Sequence, residues 1–102
     1  MVELSVKIAD IRGEMRGFEI TGKITSKGNI RTVQTKFGNS ALCQAVLSDE
    51  TGSITVNLWR NQIDLVKPGD TVRLENAFVR SFRDQLELNL GSDGKILVIE
   101  KN

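Results

Sequence analysis

Histidine and tyrosine are absent from this chain of 102 residues, and cysteine, proline and tryptophan each occur once. The lone thiol, Cys43, cannot form an intrachain disulfide and fits a reducing interior. Without imidazole, a Cys–His or Ser–His nucleophile is excluded, and a zinc site would have a single thiolate to draw on. The carboxylates stand singly in turns or on polar strand faces. No pair sits in an apolar setting that would tune one of them as a general acid. Neither catalysis nor a metal or other cofactor is expected. No apolar run approaches the ~20 residues of a membrane span. The N-terminus, MVELSVKIAD, lacks the long apolar core of a signal peptide. A cytoplasmic protein with no membrane partner is therefore expected.

The apolar (39%) and charged (26%) fractions suit a globular chain, and its length suits one domain spanning 1–102. A net charge of +1 says little about partners, but its distribution is uneven. From Ile20 to Ser48 there are four cations (Lys23, Lys27, Arg31 and Lys36) and no acid. So thin a run also fits a solvated loop.

The most regular stretch is LSDETGSITVNLWR, residues 47–60. Asp49 to Gly52 has the composition of a tight turn. Beyond it Ile54, Val56 and Leu58 alternate with Thr55, Asn57 and Trp59, the period of a half-buried strand. With the aliphatic set inward, Trp59 faces out with the polar set. It is then either covered by a loop or helix, or free for a ligand with a flat face.

The same alternation recurs elsewhere. In Phe18–Thr25 the set Phe18, Ile20, Gly22 and Ile24 faces inward, and Gly22 marks a bend or a close backbone approach. Arg31–Phe37 is strand-like, Gly38-Asn39 turns it, and Ala41–Leu47 returns with Cys43, Ala45 and Leu47 inward. After Trp59, Asn61 can cap a short helix that Pro68-Gly69 ends, with Ile63, Leu65 and Val66 as its anchors. Thr71–Phe82 changes phase between Glu75 and Asn76, as one extra residue in a β-bulge does. Val72 and Leu74 precede the slip, and Ala77 and Val79 follow it, which puts Phe78, Arg80 and Phe82 outside. Periodicity equally fits a core Phe78. Leu86, Leu88 and Leu90 form a further strand, Gly91–Gly94 a loop, and Ile96–Ile99 a short closing strand. Residues 1–17 read as an extended lead-in that caps one end. Five main strands with one short helix between the third and fourth describe an all-β, Greek-key OB-fold barrel, whose open face binds oligonucleotides or oligosaccharides.

The outward residues form a candidate site. Trp59, Phe78 and Phe82 are aromatic plates, and Arg31, Lys36, Arg60, Arg80 and Arg83 are nearby cations. Single-stranded nucleic acid needs this mixture, because every base has a face to stack and the backbone attracts positive charge.

At these residues the chain resembles the single-OB-domain single-stranded-DNA-binding proteins of archaea, with their relatives in animals and in replication protein A. The likeness runs from Ile8 to Ile99. It is carried by QTKFG at 34–38, SDETGSITVNLW at 48–59, KPGDTVRLENAF at 67–78 and Phe82–Leu90 with the following Gly91-Ser92. It implies that Trp59, Phe78 and Phe82 stack on bases and that Phe78 is on the surface. It also implies that Arg31 and Lys36 lie on the binding face, with Val33 as an apolar contact to base or sugar. Arg80 and Arg83 complete the expected site. Two residues depart from the family pattern. Phe78 replaces a tryptophan, and Phe37 stands where a small polar turn residue is usual; on the hairpin tip it is expected to pack on its own sheet, with an additional base contact as the alternative. Free-standing relatives often carry a flexible tail, and none follows Asn102, which reads as a minimal protein or as one domain of a longer one.

The resulting expectation is non-enzymatic, largely sequence-independent binding of single-stranded DNA in replication or repair, alongside other replication or repair proteins. Two alternatives stay open. An RNA-binding OB domain would differ only in contacts to the 2′-hydroxyl. A protein-assembly module would use Trp59 and Phe82 as an interface hot spot.

Overall fold

The structure, a computed structural model, describes residues 4–102. The first three residues of the expected lead-in lie outside the described residues. One sheet contains β1 (Leu4–Val6), β2 (Arg16–Lys27), β3 (Arg31–Thr35), β4 (Gly38–Asp49), β5 (Gly52–Trp59), β6 (Thr71–Phe82) and β7 (Gln85–Glu100). Its order is β1-β2-β6-β7-β5-β4-β3, and an extra β2–β4 pairing closes it on itself. Strands β2, β4, β5, β6 and β7, with β5 and β7 parallel, make the Greek-key OB barrel. Short β1 adds in parallel beside β2, and β3 forms a hairpin arm on β4.

The inward sets are those the alternation predicts. Phe18, Ile20, Ile24, Cys43, Ala45, Leu47, Val56, Leu58, Val72, Leu74, Ala77, Val79 and Leu88 are all buried in one core. Ile8, in a 3-10 turn over Ile8–Asp10, and Ile11 join it from the chain's beginning. β2 passes from β6 to β4 near Gly22, and a Cβ there would stand 2.7 Å from the Ser48 carbonyl oxygen and 2.9 Å from Leu47 Cγ. The glycine is therefore a close-approach residue, required because two strands cross with no room for a side chain.

Four local readings change. The link after β5 is a 3-10 helix, Arg60–Leu65, and Asn61 does not cap it. Gln62 Oε1 instead accepts the Trp59 N–H at 2.9 Å, since the turn already begins at Arg60, whose φ of 51° swings the chain off the strand. Ile63 and Val66 anchor this segment, whereas Leu65 is exposed. The first hairpin turns at Lys36-Phe37, two residues before the expected Gly38-Asn39. Gly91–Gly94 is no free loop but part of β7. Four residues bulge between Leu90, opposite Ala77, and Lys95, opposite Glu75. Gly94 folds so tightly against Leu90 that a Cβ would lie 2.8 Å from Leu90 Cβ.

The turn of the β4–β5 hairpin also fastens the chain's beginning. Asp49 Oδ1 accepts the Thr51 N–H at 2.7 Å, Asp49 Oδ2 accepts the Ile8 N–H at 2.9 Å, and Thr51 Oγ1 accepts the Ala9 N–H at 2.9 Å. Partial burial pushes the Asp49 carboxyl upward. Hydrogen bonds from the Thr51 hydroxyl and from the N–H groups of Ile8, Thr51 and Gly52 outweigh it and hold the pKa below its ordinary value. A lowered folded pKa gives stability that is fully present above the unfolded value of about 4 and is lost as pH falls through the folded one. Asp49→Ala is expected to cost about 1 kcal/mol at pH 7. In urea titrations at pH 7 and pH 3, the gap between variant and parent should narrow at the lower pH; an undiminished gap would refute this role.

Candidate nucleic-acid interface

Register decides which outward residues become neighbours. Across β3 and β4, Arg31 pairs with Leu42 and Val33 with Ser40; across β4 and β5, Leu42 pairs with Trp59 and Gln44 with Asn57. Thr55 pairs with Glu87 across β5 and β7. Across β7 and β6, Asn89 pairs with Phe78, Glu87 with Arg80 and Gln85 with Phe82. Directly opposed residues share a face. Arg31, Val33, Trp59, Phe78, Arg80 and Phe82 therefore all lie on one outer surface of the barrel.

The β-bulge puts Phe78 there. The pairing shifts between Glu75 and Ala77, and Asn76 has φ 55°. Ala77 and Val79 on either side of Phe78 are buried, and Phe78 is half-exposed. Trp59 is also half-exposed, so neither of its two readings holds fully. Its ring stands on the outer face opposite Leu42, which is buried but outside the main core, and its Nε1 donates to Asn89 Oδ1 at 3.4 Å.

Two open clefts join along this surface. One, of about 520 Å³, is lined by Phe37, Ser40, Trp59, Arg60, Gln62 and Gly91 among others. The second, of about 430 Å³, is lined by Arg16, Asn76, Phe78, Arg80, Gly91 and the acid Asp93. Gly91 borders both, so the two clefts adjoin and together make a trough across the strands. Phe82 and Arg83 lie beyond it at the β6–β7 turn, about 13 Å along β6 from Phe78 by strand rise. Arg83 and Asp84 both have positive φ there, as a two-residue type I′ hairpin requires. Arg31 sits at the far end of β3, and Lys36 on the β3–β4 turn.

Each phenylalanine on this surface has a cation over its ring. Lys36 Nζ stands 5.3 Å from the Phe37 centroid, Arg80 Cζ 5.9 Å from Phe78 and Arg83 Cζ 5.1 Å from Phe82. Such contacts at exposed sites stabilise by about 0.5–1 kcal/mol and leave a positive charge beside each plate. Arg60 is instead fixed to Ser40, with Nε and a terminal guanidinium nitrogen donating to Oγ at 2.9 and 2.6 Å.

Phe37 corrects the expectation that it packs on its sheet. It is 80% exposed and faces the same cleft as Trp59. β3 is the end strand of the sheet, paired only with β4, so no further strand flanks the turn to cover the ring. Sequence reading also missed Arg16, whose strand pairs with Phe78 across β2 and β6. It missed the polar floor of Gln44, Asn57, Glu87 and Asn89 as well. Alternation marked these residues as outward, but only register brings them together. Among the described residues no group of three or more His, Cys, Asp or Glu side chains could hold a metal.

An OB barrel with aromatic plates and cations along its open face has the build of an oligonucleotide-binding module. Residues 5–98 match the family described as single-stranded DNA binding protein Ssb-like, OB fold, and the chain belongs to that family. It is 32% identical over 90 residues to the single-stranded DNA binding protein Ssb of Saccharolobus solfataricus, covering 88% of this chain and 61% of that protein. It is 31% identical over 94 residues to replication factor A of Methanothermobacter thermautotrophicus, covering 89% of this chain and 12% of that protein. The chain thus spans under two thirds of the length of each of these relatives. An OB domain from Thermoplasma acidophilum superposes with a TM-score of 0.82 at 26% identity, over 96% of this chain and 89% of that one.

Proposed function

We propose that this domain binds single-stranded DNA in replication or repair, without catalysis, by stacking bases on Trp59, Phe78 and Phe82. Arg31, Lys36, Arg80 and Arg83 attract the backbone, and Val33 adds an apolar contact. The observation that carries this reading is the trough itself. Trp59 lines one of its two adjoining clefts and Phe78, with Arg16 and Arg80, the other, and family membership points to the same ligand. Phe37 extends the row of plates on the Trp59 side, and Phe82 extends it along β6. Stacking accepts any base, so binding is broadly tolerant of sequence. The same reading places the protein in the cytoplasm, acting beside other replication or repair proteins. Among the described residues, no helix is long and apolar enough to cross a membrane.

Trp59 is the only tryptophan and reports directly on the trough. Titration with a thymidine oligomer is expected to quench its fluorescence. The logarithm of the binding constant should fall with the logarithm of salt at a slope of about −2 to −3, from three or four phosphate contacts at ~0.7 each. Arg80→Ala should flatten that slope by about 0.7. Absence of quenching with an unperturbed emission maximum would overturn the proposal and favour a protein-assembly role. Repeating the titration with uridine oligomers separates DNA from RNA.

A further inference from the structure

On the same outer face, between Trp59 and Phe78, strand register places a polar floor that stacking and phosphate attraction do not use. Between the plates lies Asn89, opposed by Phe78 across β6 and β7 and touched by Trp59 Nε1. Beside it on the same face of β7 is Glu87, an acid on a surface otherwise suited to an anion. Glu87 is 9% exposed, and its two oxygens accept from Asn57 Nδ2 at 2.9 Å and Gln44 Nε2 at 3.3 Å. Among the described residues no cation lies within ion-pair distance of it. Arg80, its cross-strand partner, is turned over the Phe78 ring instead. Asn57 Nδ2 also reaches Asn89 Oδ1 at 3.4 Å, so Gln44, Asn57, Glu87 and Asn89 form one network. The network has spare capacity of both kinds. A carboxylate offers about four acceptor positions, and two are filled. Asn89 is 6% exposed, and its Nδ2 is buried without an acceptor.

We infer that this floor reads base edges, with Glu87 as the specificity-determining residue, and that it favours bases carrying an exocyclic amino group over thymine. The inference rests on the proposed binding of single-stranded DNA and adds a selectivity that stacking alone does not supply. A carboxylate repels phosphate, so the backbone keeps to the cationic rim and the base edges turn to the floor. There Glu87 accepts from the N4 amino group of cytosine, or from the amino groups of adenine or guanine. A carboxylate accepting from cytosine N4 is an established pairing in base recognition. Thymine presents O4 at the same position, an acceptor facing an acceptor.

Cytosine and thymine have rings of one size, so comparing them isolates the edge. Trp59 fluorescence titrations with 12-mers of dC, dT and 5-methyl-dC at pH 7.5 form the test. The protein is expected to bind dC about tenfold more tightly than dT. The 5-methyl-dC oligomer should behave as dC, because it shares the thymine methyl and differs in the amino group. Glu87→Gln, whose melting temperature confirms folding, should bring the dC and dT constants within about twofold. Equal or tighter binding of dT by the parent protein overturns the inference. So does 5-methyl-dC binding like dT, or a preference that survives Glu87→Gln. Failure of all three oligomers to bind overturns the underlying DNA-binding reading instead, so the two failures are distinguishable.

Discussion

Trp59→Ala combined with Phe78→Ala is expected to weaken binding of a thymidine oligomer by about a thousandfold, while the barrel still folds. Each plate removed forfeits ~1–3 kcal/mol of stacking. The two rings stand on strands separated by β7 and line different clefts, so their effects should add apart from coupling through Asn89, which Trp59 touches and Phe78 opposes. Both are half-exposed and outside the main core, so their loss costs the fold little. Because Trp59 is also the fluorescent reporter, the double variant is best measured by the anisotropy of a labelled oligomer, with single variants to test additivity. A double variant binding within threefold of the parent would mean that the plates are not the principal contacts. The contribution would then have to come from Phe37, Phe82 and the cations.

Gly22→Ala should have the largest effect on stability. The added methyl would sit 2.7 Å from the Ser48 carbonyl oxygen and 2.9 Å from Leu47 Cγ. Neither neighbour can yield easily. Ser48 is held in register with Ser53 on one side and Lys23 on the other, and Leu47 is fully buried. Forced overpacking of this kind costs about 3 kcal/mol, or on the order of 10–20 °C in melting temperature for a domain this size. Thermal unfolding followed by circular dichroism measures it. A melting temperature within 2–3 °C of the parent, about half a kcal/mol on the same scale, would show that β2 and β4 can separate at the closure point without penalty.

The inward residues were legible because alternation is a local property. Cys43, Ala45 and Leu47, or Val56 and Leu58, declare their face within a few positions. The bulge was legible for the same reason: a phase change in VRLENAFV needs one extra residue wherever the strand lies. Phe78 was the limiting case. The phase slip allowed it outside, yet burying a ring is so favourable that periodicity could not decide. Positive φ at Asn76 and buried Ala77 and Val79 decide it. Phe37 went the other way. Its turn lies at the end strand of the sheet, and nothing local to QTKFG shows that no further strand flanks it.

The sequence by itself determined the inward and outward sets apart from Phe78, a bend or close approach at Gly22, and aromatics and cations enough for a nucleic-acid face. It also carried the motifs by which the chain resembles its family. Tertiary structure alone decided which outward residues meet. Phe37 and Trp59 share a cleft across 22 positions of sequence, Arg16 lies beside Phe78, and Gln44, Asn57, Glu87 and Asn89 join into one floor under the plates. The physical reason is that alternation assigns a side chain to a face but not to a neighbour. Neighbours follow from strand order and register, which the closure of the barrel, the hairpin turns and the bulges set together.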